Sequence, residues 1–207
     1  TRLSPHIKFG TVSIREIWHR ILEALGSETP LLDQLLWRDF FHHIGWNFPH
    51  VFGEPFHPVY RNLEWTESPS GLSRWTAGRT GVPIVDAGMR ELAATGHMHN
   101  RARMITASFL TKDLHVDWRQ GERVFAQRLV DYDPCVNNGS WQWTASTGCD
   151  AQPWSRIFNP WRQQARFDPD GAYVRRWVPE LGGVSGERIL HIGTEGPPRG
   201  SRYPPAM

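Results

Sequence analysis

The sequence predicts an all-α fold. Apolar residues recur at three- and four-residue spacing along most of the chain, and strand-like alternation between turn signals is scarce. Capping and stop residues also bracket the periodic runs. Ser13-Ile14-Arg15-Glu16 has the form of a capping box; Ile14, Ile17, Trp18, Ile21, Leu22 and Leu25 then make a stripe that ends at Gly26. A second helix is predicted from Leu31 to Trp46, with Leu32, Leu35, Leu36, Phe40 and Ile44 on one side and Asn47-Phe48-Pro49 as its stop. An aromatic, proline-rich loop follows. The run PIVDAGMRELAA, Pro83 to Ala94, has proline in its first turn and Gly96 past its end, which predicts a third helix. Three more are predicted from His99 to Leu114, Glu122 to Val130 and Ser140 to Ser146, leaving Asn137-Asn138-Gly139 as a loop.

The 207 residues suffice for one domain with a sizeable core. From Gly182 the texture changes to GGVSG and GTEGPPRGSRYPP. Residues 1–181 are therefore read as one helical domain and 182–207 as a poorly ordered Gly/Pro-rich tail. A net charge of +2 permits a polyanionic partner without demanding one. Cys135 and Cys149 form no CxxC pair, which predicts reduced thiols in an intracellular, cytoplasmic protein. No run is apolar enough for a membrane span, and no membrane association is expected.

Phosphate-cradling GxxxxGK[ST], strand-linked GxGxxG and GxSxG are all missing, which removes the commonest nucleotide and hydrolase signatures. His42-His43 and His97-Met98-His99 lack an HExxH context and the cysteines lack ligand spacing, so no metal is expected. His97 and His99 are read as hydrogen-bonded residues at a helix start. Eleven tryptophans against four tyrosines exceed what core packing requires, and two of them, Trp141 and Trp143, stand in NNGSWQW.

Arg101 and Arg103 open an apolar helix and, two residues apart, cannot face the same way. One is predicted to be buried, and a buried guanidinium left unpaired costs on the order of several kcal/mol. Asp131 and Asp133, in LVDYDPCVNNG, are the candidate carboxylates.

WRDFF (Trp37 to Phe41), RTGVPIVDAGMREL (Arg79 to Leu92), TGHMHNRARMITASFLTKDL (Thr95 to Leu114), DWRQGE (Asp117 to Glu122), NNGSWQW (Asn137 to Trp143) and RIFNPWRQ (Arg156 to Gln163) occur in that order. Together they resemble the flavin-binding helical domain of DNA photolyases and cryptochromes, over roughly Thr1 to Leu181. The resemblance implies a U-shaped FAD in an all-α domain, with Thr1, Arg2, Leu3 and Ser4 at its pyrophosphate, where hydroxyl and backbone donors suit an anion. It implies that Arg38, Asn100, Arg103, Asp131, Asp133, Asn137 and Trp141 approach the flavin, with Asn137 facing N5, which an amide can address as donor or acceptor. Trp141, Trp118 and Trp65 match the family's tryptophan chain that carries an electron to photoexcited flavin.

Trp37 and Trp143 match the walls of a cavity for damaged bases, where stacking contributes about 1–3 kcal/mol per base. By the same resemblance Arg101 and Met104 reach the lesion, Arg156 a phosphate, and Gln34 occupies the place of a glutamate usual in bacterial dimer photolyases. Asn100 and Met104 are similar to the cyclobutane-dimer enzymes, whereas those for (6-4) lesions carry histidines there. The expected activity is light-dependent repair in which excited, reduced FAD lends an electron to a cyclobutane pyrimidine dimer in UV-damaged DNA. Two other readings stand beside it: a cryptochrome-like blue-light photoreceptor, and an FAD- or DNA-binding module without independent repair. The family's N-terminal α/β antenna domain is expected to be missing, so no antenna chromophore is expected. The C-terminal family elements shrink to Tyr203-Pro204-Pro205, which implies weaker FAD binding. A monomer is expected.

Overall fold

Each predicted apolar stripe folds as a helix, side-chain caps move several of the ends, and further helices form where a loop or a tail was expected. The structure is a computed structural model that describes residues 1–151, 153–154 and 156–207, and among these it contains helices and no strand. Helix α1 spans Ser4–Lys8, α2 Ile14–Leu25 and α3 Pro30–Asn47. Ser13 makes no side-chain bond at the start of α2, so the capping box is a pattern without its reciprocal hydrogen bonds. Proline in the first turn of α3 and the Thr29 hydroxyl accepting from Leu31 N extend that helix to Pro30.

Helix α4 (Pro69–Thr76) lies in a stretch predicted as loop; its cap is the Ser68 hydroxyl, 3.2 Å from Gly71 N. Helix α5 (Pro83–Thr95) ends where Gly96 turns left-handed at φ 68°. A Cβ at Gly96 would also meet Val130, so conformation and close approach both require glycine. The predicted helix 99–114 divides into α6 (Asn100–Ser108) and a widened π turn, Phe109–Asp113, closed by Leu114 N donating to the Phe109 carbonyl. His99 Nδ1 accepts from Arg101 N, which makes this histidine the cap of α6.

Two helices begin earlier than predicted, each on an aspartate. Asp117 caps α7 (Trp118–Arg128) through Arg119 N, and Asp133 caps α8 (Pro134–Ala145) through Cys135 N and Val136 N, all at 3.0 Å. Asn137-Asn138-Gly139 therefore belongs to a helix and not to a loop. Gly139 is there because a Cβ would overlap the Phe41 ring of α3, while Asn138 Nδ2 donates to the Val51 carbonyl at 2.9 Å.

The core forms around α5, buried from Pro83 to Met89, and around the indoles Trp75, Trp118 and Trp141. Helices α9 (Pro160–Phe167) and α10 (Ala172–Trp177) cover α5. The segment 182–207, expected as a poorly ordered tail, instead folds onto this core as α11 (Gly186–Leu190), α12 (Ile192–Glu195) and a return strap. Ile189 and Ile192 are buried, and the Tyr203 hydroxyl donates to Asp86 Oδ2 at 2.6 Å. Asp86 also accepts from Thr80 N, Thr80 Oγ1 and Gly81 N. Burial pushes its pKa up against these donors. Gly81 admits the Pro205 carbonyl, which a Cβ would displace. Among the described residues no helix is long and apolar enough to cross a membrane.

Candidate functional site

Helices α3, α6 and α8 and the turn after α7 enclose a cavity of about 440 Å³. Its inner wall is apolar, made by Ala107, Phe125, Leu129 and Trp141, and one flank is polar, made by Asn100, Arg103, Asp131 and Asn137. Gln34, Trp37, Arg38 and Phe41 contribute the α3 side; Arg101, Met104 and Trp143 complete the lining predicted from sequence.

Of the two arginines, Arg103 takes the buried carboxylate. Its Nη2 donates to both oxygens of Asp131, at 3.1 and 2.8 Å, and its Nε to the Met98 carbonyl at 2.8 Å. The Asp131 side chain is 2% exposed. Burial alone would raise its pKa, but the Arg103 hydrogen bonds and charge, with a bond from the Ser4 hydroxyl, hold it below the ordinary carboxylate value. Arg101 diverges and lays its guanidinium over the Phe167 ring, 4.5 Å from the centroid. Asp133 also lines the cavity, but its carboxylate oxygens have other partners: Oδ1 caps α8 and Oδ2 lies 3.1 Å from His42 Nε2.

Asn137 reaches the cavity with half of its amide already committed. Nδ2 donates to the Glu122 carbonyl at 3.3 Å and to Glu122 Oε1 at 2.9 Å, which uses both amide protons. Among the described residues none donates to Oδ1, so this side chain offers the cavity an acceptor alone, a narrower role than the dual one expected from its chemistry. Glu122 itself is pushed up in pKa by burial, partly offset by the Asn137 bond.

Trp141 is buried between Phe125, at 5.0 Å and 74°, and Trp75, at 6.1 Å and 72°. Trp118 is also buried, one turn before Gly121, whose missing side chain lets the Trp141 ring pack on α7. Trp65 packs at the edge of the same core with Trp154 at 6.3 Å. Trp118 and Trp65 do not line the cavity. Sequence reading passed over Trp75, which touches Trp141 directly, and Glu122; one lies on the unpredicted α4, and the other is fifteen residues from its partner, so neither left a local signal.

At the mouth Trp37 packs against Phe40 and Phe41, at 5.4 and 6.0 Å, and remains 40% exposed. Trp143 stands 6.2 Å from Phe158, over which Arg156 places its guanidinium at 5.9 Å. Arg156 thus lies outside the cavity on the Trp143 side. Arg38 donates to Asp39 Oδ1 at 2.9 Å, and Asn100 Nδ2 points to the Met104 sulfur. Thr1, Arg2 and Leu3 do not line the cavity; Ser4 touches it through Asp131 alone.

A family model described as the FAD binding domain of DNA photolyase matches residues 31–204. The deoxyribodipyrimidine photo-lyase of Alkalihalophilus pseudofirmus is 51% identical over 89% of this chain and 39% of its own length, and that of Escherichia coli 47% over 92% and 42%. This chain thus spans about two fifths of the length of these curated relatives. A solved archaeal photolyase from Sulfolobus tokodaii, with two FAD molecules, superposes with a TM-score of 0.91 at 48% identity, covering 100% of this chain and 46% of that one. The Synechocystis cryptochrome superposes at 0.83 and 38% identity, over 91% of this chain and 40% of its own. The matched span and the cavity within it show that the chain belongs to the FAD binding domain family of DNA photolyases.

Proposed function

We propose that this chain binds FAD in the cavity of α3, α6 and α8 and uses it to reverse cyclobutane pyrimidine dimers in UV-damaged DNA under light. The observation that carries the reading is that one cavity has an apolar wall with a polar flank inside and two tryptophans, Trp37 and Trp143, at its mouth. The residues fit the cofactor: Trp141, Phe125 and Leu129 suit a flat ring, the unmatched Asn137 Oδ1 suits a ring N–H, and the Arg103–Asp131 pair suits the polar edge. When bound, FAD supplies the light-driven electron transfer. The protein's residues hold and orient it, exclude water with the Trp75–Trp141–Phe125 cluster, and present Trp37, Trp143, Arg101 and Met104 to a base taken out of the stack.

Trp141, with Trp118 and Trp65 behind it, is the route by which the cofactor is reduced from the protein surface. The exposed Arg156 and the α9 arginines supply contacts to phosphate. The test is chromatographic: the chain is loaded with FAD, chemically reduced, mixed with an oligothymidylate carrying dimers, and illuminated. Loss of dimers is expected. The likeness to a cryptochrome makes a photoreceptor the second reading; light-driven FAD reduction with no dimer loss by the fully reduced protein would select it.

A further inference from the structure

We propose that His42, Asp133 and Cys135 form a binding site for a borderline divalent cation of the Zn²⁺ class, clamping α3 to the start of α8. The three donor atoms lie within 4.8 Å of one another. They come from two helices far apart in sequence, which is why no ligand spacing announces them.

Three features orient the donors. His42 Nδ1 is 2.8 Å from the Arg38 carbonyl, and a carbonyl can only accept, so Nδ1 is the donor there and Nε2 is the ring atom turned toward Asp133 Oδ2, at 3.1 Å. Asp133 Oδ1 is held by two backbone N–H groups, which leaves Oδ2 as a single, directed donor. The Cys135 sulfur is lodged against α3, where a Cβ at Gly45 would lie 2.8 Å from it.

Imidazole nitrogen, thiolate sulfur and carboxylate oxygen are the donor types that zinc takes, at about 2.0–2.3 Å. Two anionic donors balance a +2 ion. The Arg38 carbonyl bond is the outer contact that fixes a metal-bound imidazole. His42 and Cys135 open onto a surface groove shared with Asp39 and His43, while Asp133 also lines the flavin cavity, and the groove side leaves a fourth position for water.

The experiment titrates the metal-free full chain with Co²⁺ and then Zn²⁺. A thiolate-to-cobalt charge-transfer band is expected, saturating at one ion per chain and removed by Zn²⁺. Cys135→Ser should abolish it and Cys149→Ser should leave it. His42→Gln, which keeps an amide in place of the ring, should weaken binding by more than the roughly 10- to 100-fold that loss of an outer contact costs. Absence of the band, its survival in Cys135→Ser, or unchanged affinity in His42→Gln overturns the proposal. In that event His42 and Asp133 are simply a polar contact between α3 and the start of α8. If Cys135→Ser loses its helical circular dichroism, the His42→Gln titration decides. The readout involves neither flavin nor DNA, so its outcome is separate from that of the repair assay.

Discussion

Arg103 holds Asp131 through a single guanidinium nitrogen shared by both carboxylate oxygens, while Nε of the same group ties down the Met98 carbonyl. The pair joins α6 to the turn before α8 and fixes the polar flank of the cavity. Its folded carboxylate pKa is depressed, so the unfolded chain binds more protons in the interval below the ordinary value of 3.8. The stabilisation is complete above that value and is lost as pH falls through the lower folded pKa. Asp131→Asn should lower stability at pH 7 by about 3–5 kcal/mol, because it leaves a largely buried guanidinium without its counter-charge. Urea midpoints measured from pH 7 to pH 2 should show the two proteins converging only at the acid end.

Glu122 gives the opposite sign. Burial raises its folded pKa, so the charged form is penalised by folding above the ordinary value of 4.5, and the penalty is absent below it. Glu122→Gln keeps an acceptor for Asn137 Nδ2 and removes the charge. It should raise the urea midpoint at pH 7 and leave it unchanged at pH 4. A midpoint that rises equally at both would show that charge is not the cause.

Gly121 touches the Trp141 ring and Leu110 with no room for a methyl group. Gly121→Ala should destabilise the chain by about 1–3 kcal/mol through overpacking. It should also displace Trp141, read as a shift in its fluorescence and a lower retained FAD content.

Trp141 and Trp143 should separate in function as they do in contacts. Trp141→Phe should slow the photoreduction of oxidised FAD severalfold while leaving dimer reversal by chemically reduced protein intact. Trp143→Ala should weaken binding of dimer-containing DNA, by about the 1–3 kcal/mol of one stacking contact, with little change for undamaged DNA. Equal losses in both assays for either variant would contradict this division.

Tyr203→Phe removes a hydroxyl that donates to a buried carboxylate. The expected cost is about 1.5–3 kcal/mol. Hydrogen exchange of residues 200–207 should accelerate before that of α5, because the strap is released first.

The sequence by itself determined the helical class and the positions of α2, α3 and α5, and its motifs carry several of the residues that line the cavity, Trp37, Asn100, Arg103 and Asn137 among them. Those signals are local: an apolar stripe of helical period, a proline in a first turn, a glycine past an end, and family motifs that run continuously along one helix. Where a helix began was less legible, since Asp117 and Asp133 reveal themselves as caps only once their carboxylates are seen on backbone N–H groups. Only the tertiary structure decided that Arg103 and not Arg101 takes the carboxylate, that Asp131 and not Asp133 supplies it, and that Glu122 consumes the amide protons of Asn137. It also decided that the Gly/Pro-rich segment closes on Asp86. The physical reason is common to all four. A buried polar group must find its partner among whatever the packed helices bring near, and that choice depends on distance in space, which spacing along the chain does not record.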